Sequence, residues 1–234
     1  IHAISAAKYF VNPSNSVTEG DGLSWNTSFT SLEQAIGALP EAGGAHQIWL
    51  VGGETYIANT TQRDGCFTFP RGTKIYGGFE GTEAGINQRP SLDSVKYNKY
   101  LTIISGDIGV RNNNTDNCYH VITYDRLLNI DRVIISDGNA DYNEADYHSN
   151  QINTLHRYGA AIMTTDSTQK TELFLTDVSF INNQAYNGGA MWFASNPNTP
   201  VNVSIVDCSF ENNTAFDTPD SYGGGYGGAI YFYH

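Results

Sequence analysis

Two stretches with one pattern decide the fold: Val178-Ser-Phe-Ile-Asn-Asn-Gln-Ala185 and Cys208-Ser-Phe-Glu-Asn-Asn-Thr-Ala215. The second begins 30 residues after the first and repeats five of its eight positions. Each is followed by two glycines and an alanine, at Gly188-Gly-Ala190 and Gly227-Gly-Ala229. Repetition at a period of this size predicts a solenoid or a propeller rather than a single globular core.

The pattern extends toward the start of the chain. Ile135-Ser-Asp-Gly-Asn-Ala140 aligns with the first stretch, and Tyr158-Gly-Ala-Ala-Ile162 aligns with the two glycine segments. The extra residues between aligned segments fall at 141–157 and 216–226, on the same side of successive coils. Insertions on one face are typical of a solenoid, and such a face often binds a partner.

The repeated side chains have structural explanations. Equivalent positions in stacked coils lie ~4.8 Å apart, so like residues contact like residues. We therefore predict that Phe180 and Phe210 stack in the core. Asn183 and Asn213 should form a ladder of turn amides that bond the neighbouring coil.

The remaining chain predicts an all-β fold with one helix. From Gln47 onward, short apolar runs end in turn residues without helical periods between them, which excludes a doubly wound α/β fold. Thr30-Ser-Leu-Glu33 matches a capping box, with Thr30 as the cap, and apolar residues follow it at helical spacing. We predict one domain, in which residues 1–46 form an N-terminal strand, loop and helix cap and residues 47–234 form the solenoid.

Composition limits the partners. The 234 residues carry a formal net charge of −12, which argues against nucleic acid and anionic membrane surfaces. The charge argues mildly against acidic polysaccharides unless calcium bridges the two. No stretch approaches the ~18 apolar residues of a spanning helix, so we expect no direct membrane insertion of this segment.

Cys66, Cys118 and Cys208 cannot all pair within the chain. They have no Cys-x-x-Cys spacing, so a zinc site is not expected. Two states remain open: three buried free thiols, which we favour, or one disulfide and one thiol.

The repeats resemble those of polymorphic outer-membrane proteins, in which Phe-x-x-Asn is followed by Gly-Gly-Ala-Ile. Phe180-x-x-Asn183 and Phe210-x-x-Asn213 match the first half, and Gly227-Gly-Ala-Ile230 matches the second. Gly188-Gly-Ala-Met191 and Gly159-Ala-Ala-Ile162 each depart at one residue.

Upstream segments such as Gly22-Leu-Ser-Trp25 and Tyr76-Gly-Gly-Phe-Glu-Gly-Thr-Glu83 are similar to the leading region of secreted bacterial β-helix proteins. The resemblance implies a right-handed, single-stranded parallel β-helix of the pectin-lyase-like class. It also implies export to the cell surface or the extracellular space. It does not imply one activity, because the members include adhesins, passenger domains and carbohydrate-active enzymes.

Asp177 and Asp207 are the catalytic candidates. Both lie three residues before the repeated Phe, so they should stack on successive coils. Two carboxylates ~5 Å apart can form a retaining-glycosidase pair or a calcium site. We favour the alternative, in which an aspartate at the start of a turn bonds the local backbone.

The two insertions supply the binding candidates, since aromatic, carboxylate and histidine side chains suit a glycan or a protein surface; a solvated loop is the alternative. These candidates are Tyr142, Asp146, Tyr147, His148, His156, Arg157, Tyr222 and Tyr226. The polar turn Asn112–Asn117 can bind calcium, again with a solvated loop as the alternative. No other cofactor is expected, because the histidines lack metal-ligand spacing.

Three functions fit. We favour an exported bacterial surface protein that is not an enzyme and acts in adhesion or in glycan or protein binding. The alternatives are a polysaccharide lyase or glycosidase and a structural module of an envelope assembly. The strand-like Ala229–His234 has no capping segment after it, which predicts that the protein continues or that a partner covers this end.

Overall fold

The protein is described from a computed structural model. It describes residues 6–17, 19–40, 44–64, 66–92, 99–142, 156–164, 169–195, 198–217 and 224–233. The predicted Asp146, Tyr147, His148 and Tyr222 lie outside the described residues.

The regular secondary structure of the described residues is mostly β-strand, which confirms the all-β class. The strands are β1 Lys8–Val11, β2 Gln47–Val51, β3 Thr55–Ile57, β4 Phe67–Phe69, β5 Thr73–Phe79, β6 Ile103–Ser105, β7 Ile122–Tyr124, β8 Leu127–Asp131, β9 Ile134–Ser136, β10 Asn139–Ala140, β11 Ile162–Thr164, β12 Thr171–Thr176, β13 Ser179–Ile181, β14 Gln184–Ala185, β15 Met191–Ala194, β16 Val201–Val206, β17 Ser209–Glu211, β18 Thr214–Ala215 and β19 Ile230–Tyr233. One α-helix, α1, spans Leu32–Ala38, and short 3-10 helices span Ile86–Gln88 and Asn114–Asp116.

The strands form four parallel sheets. Sheet 1 has the order β1-β2-β5-β8-β12-β16, and sheet 2 has the order β3-β6-β9-β13-β17. Sheet 3 is β10-β14-β18, and sheet 4 is β4-β7-β11-β15-β19. From β8 to β19 the chain visits sheets 1, 2, 3 and 4 in that order three times, so each sheet gains one strand per pass.

The register confirms the repeat alignment. Phe180 pairs with Ile135 on one side and with Phe210 on the other. Ala185 pairs likewise with Ala140 and Ala215. Because the equivalent residues are neighbours in the sheets, the repeat length equals one pass through the four sheets.

The predicted core stack is confirmed. The rings of Phe180 and Phe210 lie 4.9 Å apart at an interplanar angle of 8°. Phe180 is fully buried, whereas Phe210, one pass later, is half-buried. The stack therefore fills the interior between successive strands of sheet 2.

The predicted amide ladder is also confirmed. Asn183 is fully buried, and its Nδ2 donates to the Ile135 carbonyl and to Asn213 Oδ1, each at 3.0 Å. Its Oδ1 accepts from the Gly138 N–H at 3.0 Å. Asn213 Nδ2 donates in turn to the Phe180 carbonyl at 2.8 Å. Side-chain amides thus satisfy the backbone groups that the corner between sheets 2 and 3 leaves without ladder partners.

The predicted capping box was wrong by one residue. The N-cap of α1 is Ser31, whose Oγ accepts from the Gln34 N–H, and Gln34 Oε1 accepts from the Ser31 N–H at 3.1 Å. Glu33 does not reach back, because its carboxylate accepts from the Asn59 N–H at 2.8 Å. The boundary at residue 46 stays a prediction; β1, before it, pairs in parallel with β2, after it.

The favoured state of the cysteines was wrong as well. Cys66 and Cys118 form a disulfide with their Cα atoms 6.2 Å apart, and Cys208 is free. The bond joins the segment that enters β4 to the segment that leads into β7, the neighbouring strand of sheet 4. It therefore links two passes of the chain.

Within the described ranges, no helix has the length and apolar character needed to cross a membrane.

Candidate functional site

The exposed face of sheet 1 carries a concave surface. Side chains alternate along β12, where Leu173 and Leu175 are buried while Phe174 is 40% exposed. The strand register places Lys74, Asn129 and Phe174 side by side on three neighbouring strands. Because side chains of one row point the same way, these three share the outward face.

A groove of about 580 Å³ follows this row near the start of the strands; we call it the sheet-1 groove. It is lined by Gly44, Ala45, Arg71, Gly72, Lys74, Leu127, Asn129, Glu172 and Phe174. The volume is in the range of small-ligand sites, ~300–1,000 Å³.

Gly72 allows a tight backbone turn at the end of the sheet-1 groove and adds no side chain that would fill the groove. Its φ is +85°, and a Cβ there would lie 2.3 Å from the Gly44 carbonyl oxygen. The Gly72 N–H donates to the Leu127 carbonyl at 2.8 Å, which holds the turn against the next pass. Only glycine combines this conformation with this close approach.

The charge of the sheet-1 groove differs from that of the whole chain. Arg71 and Lys74 line it, and its carboxylate Glu172 is bonded to Lys170 at 2.7 Å. The formal net charge of the protein is −12, so this local cluster of positive charge stands out. An exposed phenyl ring beside amide, ammonium and carboxylate groups can contact both the apolar face and the hydroxyls of a sugar.

The first insertion begins beside a stacked aromatic cluster. The rings of Tyr119 and His156 stack at 4.4 Å, and Tyr142 packs edge-on against His156 at 6.1 Å. Arg63 lies over the Tyr119 ring at 4.0 Å and pairs with Asp141 at 2.5 Å. Burial lowers the pKa of His156 below its usual value; Asp64 opposes this effect and Arg63 adds to it. Near neutral pH, His156 is therefore a neutral packing partner.

The predicted binding residues lie in two places. Tyr142 is 8% exposed and Arg157 is 6% exposed, with the guanidinium of Arg157 over the Tyr186 ring at 4.6 Å. Tyr226 is 52% exposed and stacks on Tyr231 at 5.5 Å. Burial favours packing roles for Tyr142 and Arg157. Ligand binding by any of the predicted residues stays a prediction.

Asp177 and Asp207 occupy equivalent corners between sheets 1 and 2. Both have left-handed backbones, with φ of 53° and 52°. Arg132 occupies the same corner one pass earlier, and its Nε lies 3.9 Å from Asp177 Oδ2. The left-handed conformation places both aspartates in turns. Bonding of the local backbone by their side chains, the alternative we favour, stays a prediction. Their catalytic role stays a prediction.

Burial raises the pKa of Asp177 above its usual value, Asp131 and Asp207 add to the rise, and Arg132 opposes it. A raised pKa means that the folded protein binds this proton more tightly than the unfolded chain does. The stability that comes from this group is present at low pH and is lost as pH rises through the folded-state pKa. Ionised Asp177 is therefore unfavourable at neutral pH.

We expect Asp177→Asn to raise the unfolding temperature at pH 7. Asparagine tolerates the left-handed conformation and carries no charge. The gain should vanish below the ordinary aspartate pKa of about 3.9, where the wild-type side chain is protonated in both states. Thermal unfolding from pH 3 to pH 8 measures it, with the exposed Asp217→Asn as a control. A gain that persists at pH 3 would show that charge is not the cause.

No pattern in the sequence predicted the residues of the sheet-1 groove. Lys74, Asn129 and Phe174 become neighbours only through the register of β5, β8 and β12. They share no residue type and follow no fixed spacing, so no local pattern marks them.

Strand order and repeated corners define the class: a repeat protein built from parallel sheets. Residues 207–233 match the family model described as the Chlamydia polymorphic membrane protein repeat. This segment contains Phe210, Asn213 and Gly227–Ile230, the residues that carried the resemblance in the sequence. Together, the family match and the parallel sheets fit a repeat protein similar to the polymorphic membrane proteins. No curated protein and no solved structure matches the chain.

Proposed function

We propose that this chain is part of a bacterial surface protein that binds a glycan in the sheet-1 groove without cleaving it. The groove carries the proposal, since it combines an exposed ring, Phe174, with the polar side chains of Lys74, Asn129 and Glu172. Clefts with aromatic lining and a few placed polar groups are the usual form of small-ligand and glycan sites. The repeat match supports the surface location, since its family is named for membrane proteins.

We also propose that the four sheets close into a right-handed parallel β-helix of the pectin-lyase-like class. The chain passes through sheets 1 to 4 in the same order in each repeat, which supports a closed coil. If the sheets did not close around a common core, the inner faces of sheets 1 and 2 would be exposed to solvent. Connections between parallel strands are right-handed in ~98% of cases, which supports the hand. In this form the sheet-1 groove runs along the outside of the coil.

We expect Phe174→Ala to weaken glycan binding at least about tenfold, because the apolar sugar face loses its ring contact. A glycan array with neutral and acidic sugars identifies the ligand, and titration calorimetry then measures Kd. Val206→Ala is the matched control: Val206 lies on the same face of sheet 1, is 47% exposed and does not line the groove. Equal affinities of the Phe174→Ala variant and wild type would contradict the proposed site.

An enzyme is the second candidate, since stacked corner aspartates with a raised pKa on Asp177 suit acid–base chemistry. Turnover assays on the bound glycan separate the two functions. Release of reducing or unsaturated sugars that is lost in both Asp177→Ala and Asp207→Ala would overturn the binding function. Binding without release would support it.

A further inference from the structure

A second cavity, lined almost entirely by residues with polar side chains, lies at the corner where the chain leaves sheet 2. Its volume is about 240 Å³, and its lining residues are aspartates, asparagines, a glutamine and a glycine, without a cationic side chain. Asp107 and Asp137 contribute the carboxylates, and Asn112, Asn117 and Asn139 are among the amides. We call it the oxygen cavity. It shares no lining residue with the sheet-1 groove.

The two carboxylates follow neighbouring strands of sheet 2, Asp107 after β6 and Asp137 after β9. Ser105 pairs with Ser136 in the register of β6 and β9, which brings the residues after them to one corner. Ser105 Oγ and Ser136 Oγ both donate to Asp137 Oδ2, at 2.9 and 2.6 Å. Both oxygens of Asp107, which is 8% exposed, accept from the Asn112 N–H at 3.0 and 3.2 Å. Backbone and hydroxyl groups thus hold both carboxylates in place.

Asn117 supplies the observation that points to a ligand. It is 4% exposed, and its Nδ2 donates to the Asp137 carbonyl at 2.7 Å, which fixes the orientation of the amide. Its Oδ1 is buried and has no hydrogen-bond partner. A buried acceptor without a donor is unfavourable, and a cation relieves this condition. Asn117 Oδ1, a buried acceptor without a donor, therefore belongs to a residue that lines the oxygen cavity together with Asp107 and Asp137.

We propose that the oxygen cavity binds a calcium ion through the carboxylates of Asp107 and Asp137 and through Asn117 Oδ1. Calcium takes six to eight oxygen ligands in flexible geometry, including carboxylates, amide oxygens and water. Zinc does not suit the site, since the lining of the oxygen cavity has neither the cysteine nor the histidine side chains that zinc prefers. Magnesium suits it less, because it demands near-ideal octahedral geometry.

One cation competes for the site. Arg111 Nε lies 3.5 Å from Asp107 Oδ2, and the Arg111 side chain is 65% exposed. The exposed arginine can move into solvent when calcium binds. We therefore expect Arg111→Gln to strengthen calcium binding several-fold, whereas loss of either carboxylate weakens it.

Calcium titration of protein freed of divalent ions tests the proposal, with calorimetry and the calcium-dependent rise in unfolding temperature as readouts. We expect binding that magnesium reproduces only weakly, and at least a tenfold loss of affinity in Asp107→Asn and in Asp137→Asn. Asp64→Asn, which removes an exposed carboxylate outside the oxygen cavity, should keep wild-type affinity.

Circular dichroism in the presence of a chelator establishes that each variant is folded. If one of the two variants fails to fold, the other and Arg111→Gln decide. No heat and no thermal shift with calcium, or wild-type affinity in the folded variants, would overturn the site. The calcium titration needs no glycan, and the Phe174→Ala variant should keep wild-type calcium affinity. The calcium proposal for the oxygen cavity and the glycan proposal for the sheet-1 groove are therefore tested independently.

Discussion

Phe180→Ala is expected to lower the free energy of unfolding by about 3–5 kcal/mol, the cost of removing a fully buried phenyl ring. Phe180 is 0% exposed, and its ring stacks on Phe210 at 4.9 Å. Neighbouring strands hold Ile135 and Phe210 at fixed spacing, so the backbone cannot collapse into the space left behind. Equilibrium unfolding in urea measures the loss, provided that the slope with denaturant is unchanged.

Phe210→Ala is the matched control for that substitution. It removes the same side chain from the same repeat position one pass later, where the ring is only half-buried. We expect a smaller loss of about 1–2 kcal/mol, since less apolar surface returns to water. Equal losses in the two variants would contradict the assignment of Phe180 to the deeper core.

Loss of the Cys66–Cys118 disulfide is expected to lower the free energy of unfolding by about 4 kcal/mol at 25 °C, from the loop-closure entropy of the unfolded chain. The bond spans a sequence separation of 52 residues, which is long enough for a large effect. The test is the double variant Cys66→Ala/Cys118→Ala, compared with wild type in urea. Unfolding of wild type with and without dithiothreitol measures the same bond without a substitution.

Cys208→Ala is the control for the disulfide, because Cys208 is a free thiol. Its loss should change the free energy of unfolding by less than about 1 kcal/mol, and dithiothreitol should still destabilise this variant. If thiol titration finds three free cysteines in the oxidised, folded protein, the pairing is wrong. In that case neither dithiothreitol nor the Cys66→Ala/Cys118→Ala double substitution would lower the free energy of unfolding through loss of a disulfide.

The sequence predicted the helix near residue 32 and the possibility of one disulfide, but not which residue caps the helix or which cysteines pair. The sequence offers both Thr30-x-x-Glu33 and Ser31-x-x-Gln34 as capping boxes, and local pattern cannot choose between them. The choice follows from Glu33, whose carboxylate bonds the backbone N–H of Asn59, far away in the chain. The disulfide escaped for the same reason, because three cysteines without motif spacing carry no information on which two meet.

By itself, the sequence determined the repeat of parallel strands, the Phe180–Phe210 stack and the Asn183–Asn213 ladder. Each depends on residues one period apart, so the repetition that places them side by side in space is visible in the chain. Only the tertiary structure decided the sheet-1 groove, and it alone placed Asp107 and Asp137 beside the Asn112–Asn117 turn that the sequence marked for calcium. The residues of both sites come from passes of unequal length, and the strand register alone sets which ones meet. A surface site needs no repeated residue type, whereas a stacked core does, since like shapes must fill the same space in every pass through the sheets.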